Sequence, residues 1–144
     1  MTKKNLSKKR VLRIFSIFMV VVIAMTTMVL PVLAATSKTV SVTSSNKNKN
    51  PTVTVTSGKG ISYSLGLRKT TITITNTGKY PVQVYETICS GIATGNFIWK
   101  GELGAGQSMT LTLKGSGKVT KFSFQAKNNK KTTVKISVSA GSVS

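Results

Sequence analysis

The sequence predicts an all-β protein built as a two-layer antiparallel β-sandwich, with an open barrel as the alternative, and three observations carry that prediction. Beyond residue 35, run after run alternates an aliphatic or aromatic residue with Ser or Thr, the two-residue period of a sheet with one face buried. Glycine, proline, asparagine and lysine interrupt these runs roughly every eight to twelve residues, the turn spacing of small sandwiches. No window of this region places apolar residues at the roughly 3.6-residue spacing of an amphipathic helix.

The elements follow in order. Residues 1–34 read as a secretory signal peptide, a signal helix ahead of the sandwich. Six basic residues and no acid fill residues 1–13, residues 14–30 are almost wholly apolar, and Pro31-Val32-Leu33-Ala34-Ala35 offers small residues to a peptidase. The rival reading is an uncleaved membrane anchor over residues 14–35, which is about long enough to span a bilayer. Either way the remainder is expected outside the cytoplasm. With no lipid-anchor cysteine after the cleavage region and no sorting motif at residues 139–144, the mature product is expected to be secreted, extracellular or loosely associated with the cell wall.

Residues 35–50 read as an N-terminal strand, with Val40 and Val42 alternating, followed by the polar linker SSNKNKN; the sandwich domain is then residues 51–144. Inward positions fall at Val53 and Val55, at Ile61, Tyr63 and Leu65, at Ile72 and Ile74, and at Val82 and Val84. They continue at Met109, Leu111 and Leu113, at Phe122 and Phe124, and at Val134, Ile136 and Val138. The last seven strands are expected over residues 61–65, 71–76, 82–87, 97–100, 108–113, 121–126 and 132–139. Trp99, between apolar neighbours and Lys100, is read as core rather than as a platform for a sugar. In the Asn76-Thr77-Gly78 turn, Gly78 is read as the residue needing a positive φ, and Pro81 opens the next strand where no ladder donor is required.

The pairing of TITNTGKYPVQVY with GELGAGQSMTLTL resembles the strand and turn pattern of immunoglobulin-like and fibronectin-III-like modules of bacterial secreted and surface proteins. The resemblance covers roughly residues 53–139 and lacks the Cys and Trp spacing of true immunoglobulin domains. It implies an immunoglobulin-like sandwich with a non-catalytic adhesion, binding or spacer role. Such modules sometimes form a Lys to Asn isopeptide bond beside a buried acid, and Glu86 lies near the parity of Val82 and Val84.

Composition narrows the function. The chain holds 21 basic residues and two acids; six basic residues leave with the signal, so 15 remain against Glu86 and Glu102, a net charge of +13. Such a surplus predicts attraction to anionic cell-wall polymers, glycans or lipid surfaces. There is no Asp and no His, so Ser-His-acid catalysis and imidazole metal sites are excluded, and neither a cofactor nor an enzyme activity is expected. Nucleic-acid binding is not expected either, because the aromatic residues mostly keep core parity instead of standing free among the cations. The lone Cys89 reads as a small buried residue or as the link in a disulfide-bonded dimer.

If each connection reverses direction, alternate loops share an end of the sandwich. One end then gathers Arg68, Lys69, Lys114 and Lys118 with residues 88–96. The other gathers residues 76–81, 101–107 and 127–131, and with them Lys79, Tyr80, Lys127, Lys130 and Lys131, the candidate polymer-binding residues. The expected function is a secreted, non-enzymatic cationic sandwich that binds anionic envelope or extracellular polymers through basic loops. A cationic secreted antimicrobial or membrane-active protein is the alternative.

Overall fold

Ten strands follow one another among the described residues: β1 (Thr36–Val42), β2 (Val53–Ser57), β3 (Lys69–Asn76), β4 (Val82–Ser90), β5 (Ala93–Thr94), β6 (Ile98–Leu103), β7 (Ser108–Lys114), β8 (Val119–Ala126), β9 (Thr132–Ser139) and β10 (Gly141–Val143). The structure is a computed structural model and describes residues 36–90 and 93–144, so the expected signal segment and the alternative anchor lie outside the described residues. Among the described residues no helix is long and apolar enough to cross a membrane.

The strands form two antiparallel sheets. One has the order β1-β9-β3-β7; the other has the order β10-β2-β8-β4, with β6 and the short β5 both pairing on the far side of β4. The long ladders are nested: β1 pairs with β9, β2 with β8, β3 with β7 and β4 with β6. That is one long hairpin rolled over on itself, the jelly-roll form of the sandwich. The immunoglobulin-like order expected from the turn pattern is therefore corrected, because immunoglobulin sandwiches keep strands A-B-E-D and C-F-G together. Turn residues show where a chain reverses. They carry no information on which sheet receives the next strand, and here only the passage from β4 through β5 to β6 stays within one sheet.

The core follows the alternation. Val53 stands opposite Phe122, Ile74 opposite Ile136 and Ile72 opposite Val138, and all six side chains are fully or almost fully buried. Each such side chain contributes about 1.5–3 kcal/mol of burial. Thr, Ser and Lys occupy the alternate positions of β3 and β9, where the outer sheet face meets water.

Two assignments move. Leu33–Ser144 is one compact unit, and β1 pairs with β9 along its whole length, so the expected division after residue 50 is not a boundary of the sandwich. Residues 61–65 are not a strand: Ile61–Ser64 is a single helical turn, with Gly60 at φ 114° before it and Gly66 at φ 73° after it. Only Tyr63 of the three expected inward residues is buried; Ile61 and Leu65 are exposed.

Candidate functional site

Strand direction fixes which connections meet. The segments 43–52, 77–81, 104–107 and 127–131 lie at one end of the sandwich, and their hydrogen bonds knit them into one surface. Asn76, the last residue of β3, is fully buried and uses every valence of its amide. Its Nδ2 donates to the carbonyls of Tyr80 (2.8 Å) and Leu103 (3.0 Å), while its Oδ1 accepts from the Gly78 amide (3.0 Å) and from Thr132 Oγ1 (2.8 Å). Its backbone closes on the third loop, donating to Gln107 O at 2.9 Å and accepting from Gly106 N at 2.8 Å. One residue, through its side chain and its backbone, thus holds three connections.

Asn50 does the same for the segment expected to be a flexible linker. Its Oδ1 accepts from Thr43 N (3.0 Å) and Ser44 N (2.9 Å), and its Nδ2 donates to Ser44 O (2.7 Å) and to Phe124 O of β8 (2.9 Å). Ser45 N donates to Asn129 Oδ1 at 2.7 Å, which joins this loop to the KNNKK turn. In that turn Asn128 and Asn129 both have positive φ, 54° and 55°, and Lys130 N returns to Lys127 O at 3.2 Å, as in a type I′ turn. Asparagine tolerates that left-handed geometry better than other side-chain-bearing residues do.

The five candidate residues all lie on this surface. Lys130 Nζ stands over the Tyr80 ring at 4.8 Å, and Tyr80 is partly exposed. Lys127 Nζ pairs with Glu102 at 3.2 Å, with both side chains in reach of water, which leaves its charge partly neutralised. Lys79 and Lys131 are exposed. Sequence reasoning missed Lys47 and Lys49, which it placed in a linker. Lys47 Nζ lies 4.7 Å above the Tyr85 ring, and the Lys47 carbonyl accepts from Ser123 Oγ at 3.1 Å. Six lysines therefore share this end with one acid, Glu102.

The turn chemistry of Gly78 is corrected. Its φ is not positive, and its need for glycine is space: a Cβ there would overlap Thr132 Oγ1 and Thr133 N. Trp99 is corrected too, since it is 59% exposed. It stands opposite Tyr85 on the outer face of the second sheet.

Glu86 keeps the inward parity of Val82 and Val84 and is buried. A β-bulge between Val84 and Tyr85 leaves Lys100, an exposed residue, as the extra residue of β6. Lys100 Nζ then reaches Glu86 Oε2 at 2.7 Å, and Thr120 Oγ1 donates to Glu86 Oε1 at 3.0 Å. Glu102 faces outward on the other side of the sheet, so the two acids do not face one another as a hydrolytic carboxylate pair requires. At the candidate end the side-chain amides of Asn46, Asn50, Asn76 and Asn129 are engaged in loop hydrogen bonds, none of which involves Lys100. Cys89 is a half-buried free thiol.

No family model matches this sequence, and no curated protein matches it. Solved structures with a similar chain path include the Yersinia pseudotuberculosis-derived mitogen, at 6% identity and TM-score 0.44, covering 74% of this chain and 86% of that one. CorA of Methylomicrobium album BG8, a surface-associated copper-binding protein, is similar at 9% identity and TM-score 0.42, covering 74% and 92%. A cowpea mosaic virus top-component chain is similar at 7% identity and TM-score 0.35, covering 77% and 86%. The jelly-roll order itself is carried by this chain's own nested ladders.

Proposed function

We propose that this chain is an exported, non-enzymatic cationic sandwich that binds an anionic polymer of the cell envelope or the extracellular space through the loops at the Asn76 end. One observation carries the reading. Two buried asparagines and the Ser45–Asn129 hydrogen bond tie four loops into a single surface that presents Lys47, Lys49, Lys79, Lys127, Lys130 and Lys131 around the lone Glu102. Lysine ammonium groups are point charges on flexible stems and suit repeated phosphate or carboxylate groups without demanding one geometry. The binding role implied by the immunoglobulin-like resemblance is kept, although the strand order belongs to another sandwich. Export rests on the layout of residues 1–34.

The test is retention on purified phosphate-rich wall polymer, comparing the natural chain with a K79A/K130A/K131A variant. These side chains are exposed, so folding should be unaffected, and the variant should bind on the order of tenfold more weakly. Equal retention of the variant would remove the site. The membrane-active alternative draws on a different surface, the exposed Ile61, Leu65 and Leu67 of the opposite end.

A further inference from the structure

The connection from β2 to β3 carries the three most exposed large aliphatic side chains among the described residues, ahead of Ile98 on β6. Ile61 is 78%, Leu65 68% and Leu67 77% exposed. Loops of water-soluble sandwiches normally end in polar residues, so three aliphatics on one turn call for a partner.

The turn is built to hold them outward. Tyr63, on the opposite side of the helical turn from Ile61 and Leu65, is buried and packs where a Cβ on Gly58 would collide with its ring. Its hydroxyl donates to Ala140 O at 3.0 Å, and the same carbonyl accepts from Gly58 N (3.0 Å) and Thr70 Oγ1 (2.8 Å). The turn closes with Gly66 N donating to Tyr63 O at 3.1 Å and Leu67 N donating to Ser62 O at 2.9 Å, around Gly66 at φ 73°. That bond pattern is a Schellman motif, and its geometry brings the residue after the glycine, Leu67, to the side of the turn where Ile61 stands. The aliphatic tip is therefore a fixed structure, anchored at its base.

The surroundings are cationic. Lys59, Lys69, Lys114 and Lys118 are exposed at this end, Arg68 is half-exposed, and both acids of the described residues are paired elsewhere, with Lys100 and Lys127. Lys69 and Lys114 stand directly opposite each other at the end of the β3–β7 ladder. Like charges in that position oppose pairing and are relieved by an anion lying across them.

We propose that this loop is a membrane-insertion tip: Ile61, Leu65 and Leu67 enter the boundary between headgroups and acyl chains of an anionic bilayer, while Lys59, Arg68, Lys69 and Lys114 meet the lipid phosphates. Aliphatic residues on one side and a basic rim without acids are the pattern of interfacial segments. A second copy of the chain is disfavoured as occupant, because it would set one cationic end against another. Three side chains on one turn also fall far short of the roughly 800 Å² per partner of a stable protein interface. The proposal does not rest on the polymer-binding reading, since the two surfaces lie at opposite ends of the sandwich.

Binding to vesicles of phosphatidylcholine with phosphatidylglycerol tests it. Residues 33–144, which hold both sheets and the whole core, are compared with their I61S/L65S/L67S and R68Q/K69Q variants after circular dichroism confirms the fold. The triple variant should lose on the order of 100-fold in partitioning, because three aliphatic side chains no longer leave water. The double variant should lose about tenfold on anionic vesicles and little on pure phosphatidylcholine. In the full chain, the W99F/L67W variant should show its single tryptophan quenched by brominated lipid. Unchanged partitioning of the triple variant, or no quenching at position 67, would overturn the proposal. So would a dimer of the natural sandwich that the triple variant converts to monomer.

Discussion

Asn76→Ala should destabilise the whole sandwich, not only its loops. The substitution removes a fully buried side chain that satisfies the carbonyls of Tyr80 and Leu103, the Gly78 amide and the Thr132 hydroxyl. The bonds to Leu103 and Thr132 are buried, so their partners cannot turn to bulk water. Each buried group left without a partner costs about 1–3 kcal/mol, which puts the loss near 4 kcal/mol for the pair. Against a total stability of about 5–15 kcal/mol for a domain, that is a large share. For a chain of this size it corresponds to a fall of about 15 °C in Tm. Urea unfolding followed by circular dichroism and by Trp99 fluorescence should show one transition moved to lower urea by both probes. Thr77→Ala, one residue on, removes only an exposed hydroxyl bond to Thr133 O and should cost less than about 0.5 kcal/mol. A loss below about 1 kcal/mol for Asn76→Ala, or no difference between it and Thr77→Ala, would refute the assignment of Asn76 as the residue that ties the three loops.

Two further substitutions read local geometry. Gly78→Ala should cost about 1–3 kcal/mol in thermal unfolding, because its Cβ meets the Thr132 hydroxyl and the Thr133 backbone rather than a yielding side-chain tip. Lys100→Gln should destabilise more than Glu86→Gln. The Glu86 side chain is 11% exposed and the Lys100 side chain 33%, so an abandoned carboxylate keeps less water than an abandoned ammonium. Roughly 3 kcal/mol for the first and about 1–2 kcal/mol for the second are expected from urea midpoints. Equal losses would contradict the asymmetry.

Much of the strand list is legible in the sequence because two-residue alternation is a direct print of a half-buried sheet. Ile72 and Ile74, Phe122 and Phe124, and Val134, Ile136 and Val138 all face inward as their spacing predicts. The grouping of Lys79, Tyr80, Lys127, Lys130 and Lys131 at one end is legible for a related reason. In any sandwich whose successive strands reverse direction, alternate connections share an end, whichever sheet each strand joins. Sheet order is not legible, because turn residues are the same in a hairpin and in a crossover. Ile61, Tyr63 and Leu65 alternate like a strand, but five residues cannot separate a period of two from a helical turn. Gly60 and Gly66, which bracket the turn with positive φ, were the signal that could have done so. The role of Asn76 had no local signal beyond the nearby glycine of its Asx turn, and that of Asn50 had none. Their telling partners, Phe124, Leu103 and Thr132, are 74, 27 and 56 residues away in sequence. Trp99 was misplaced because a β-bulge at Lys100 shifts the register of an edge strand, and nothing in FIWKGEL announces the extra residue.

Both ends of the sandwich are cationic, yet they should answer salt differently. At the Asn76 end the lysines are set among amides and hydroxyls, so attraction to a polyanion is almost wholly Coulombic. The Debye length shrinks from about 10 Å at 0.1 M salt to about 3 Å at 1 M, and retention on wall polymer should be abolished over that range. At the opposite end Ile61, Leu65 and Leu67 add a term that salt does not screen. Anionic vesicles should therefore retain a measurable fraction of the sandwich at 1 M salt, a fraction that the I61S/L65S/L67S variant loses. The comparison is internal, since one molecule supplies both surfaces and its net charge is the same in both assays. If vesicle binding and polymer binding fall together along one salt curve, the two ends act as a single undifferentiated cationic surface, and the distinction between amide-lined and aliphatic loops has no functional consequence.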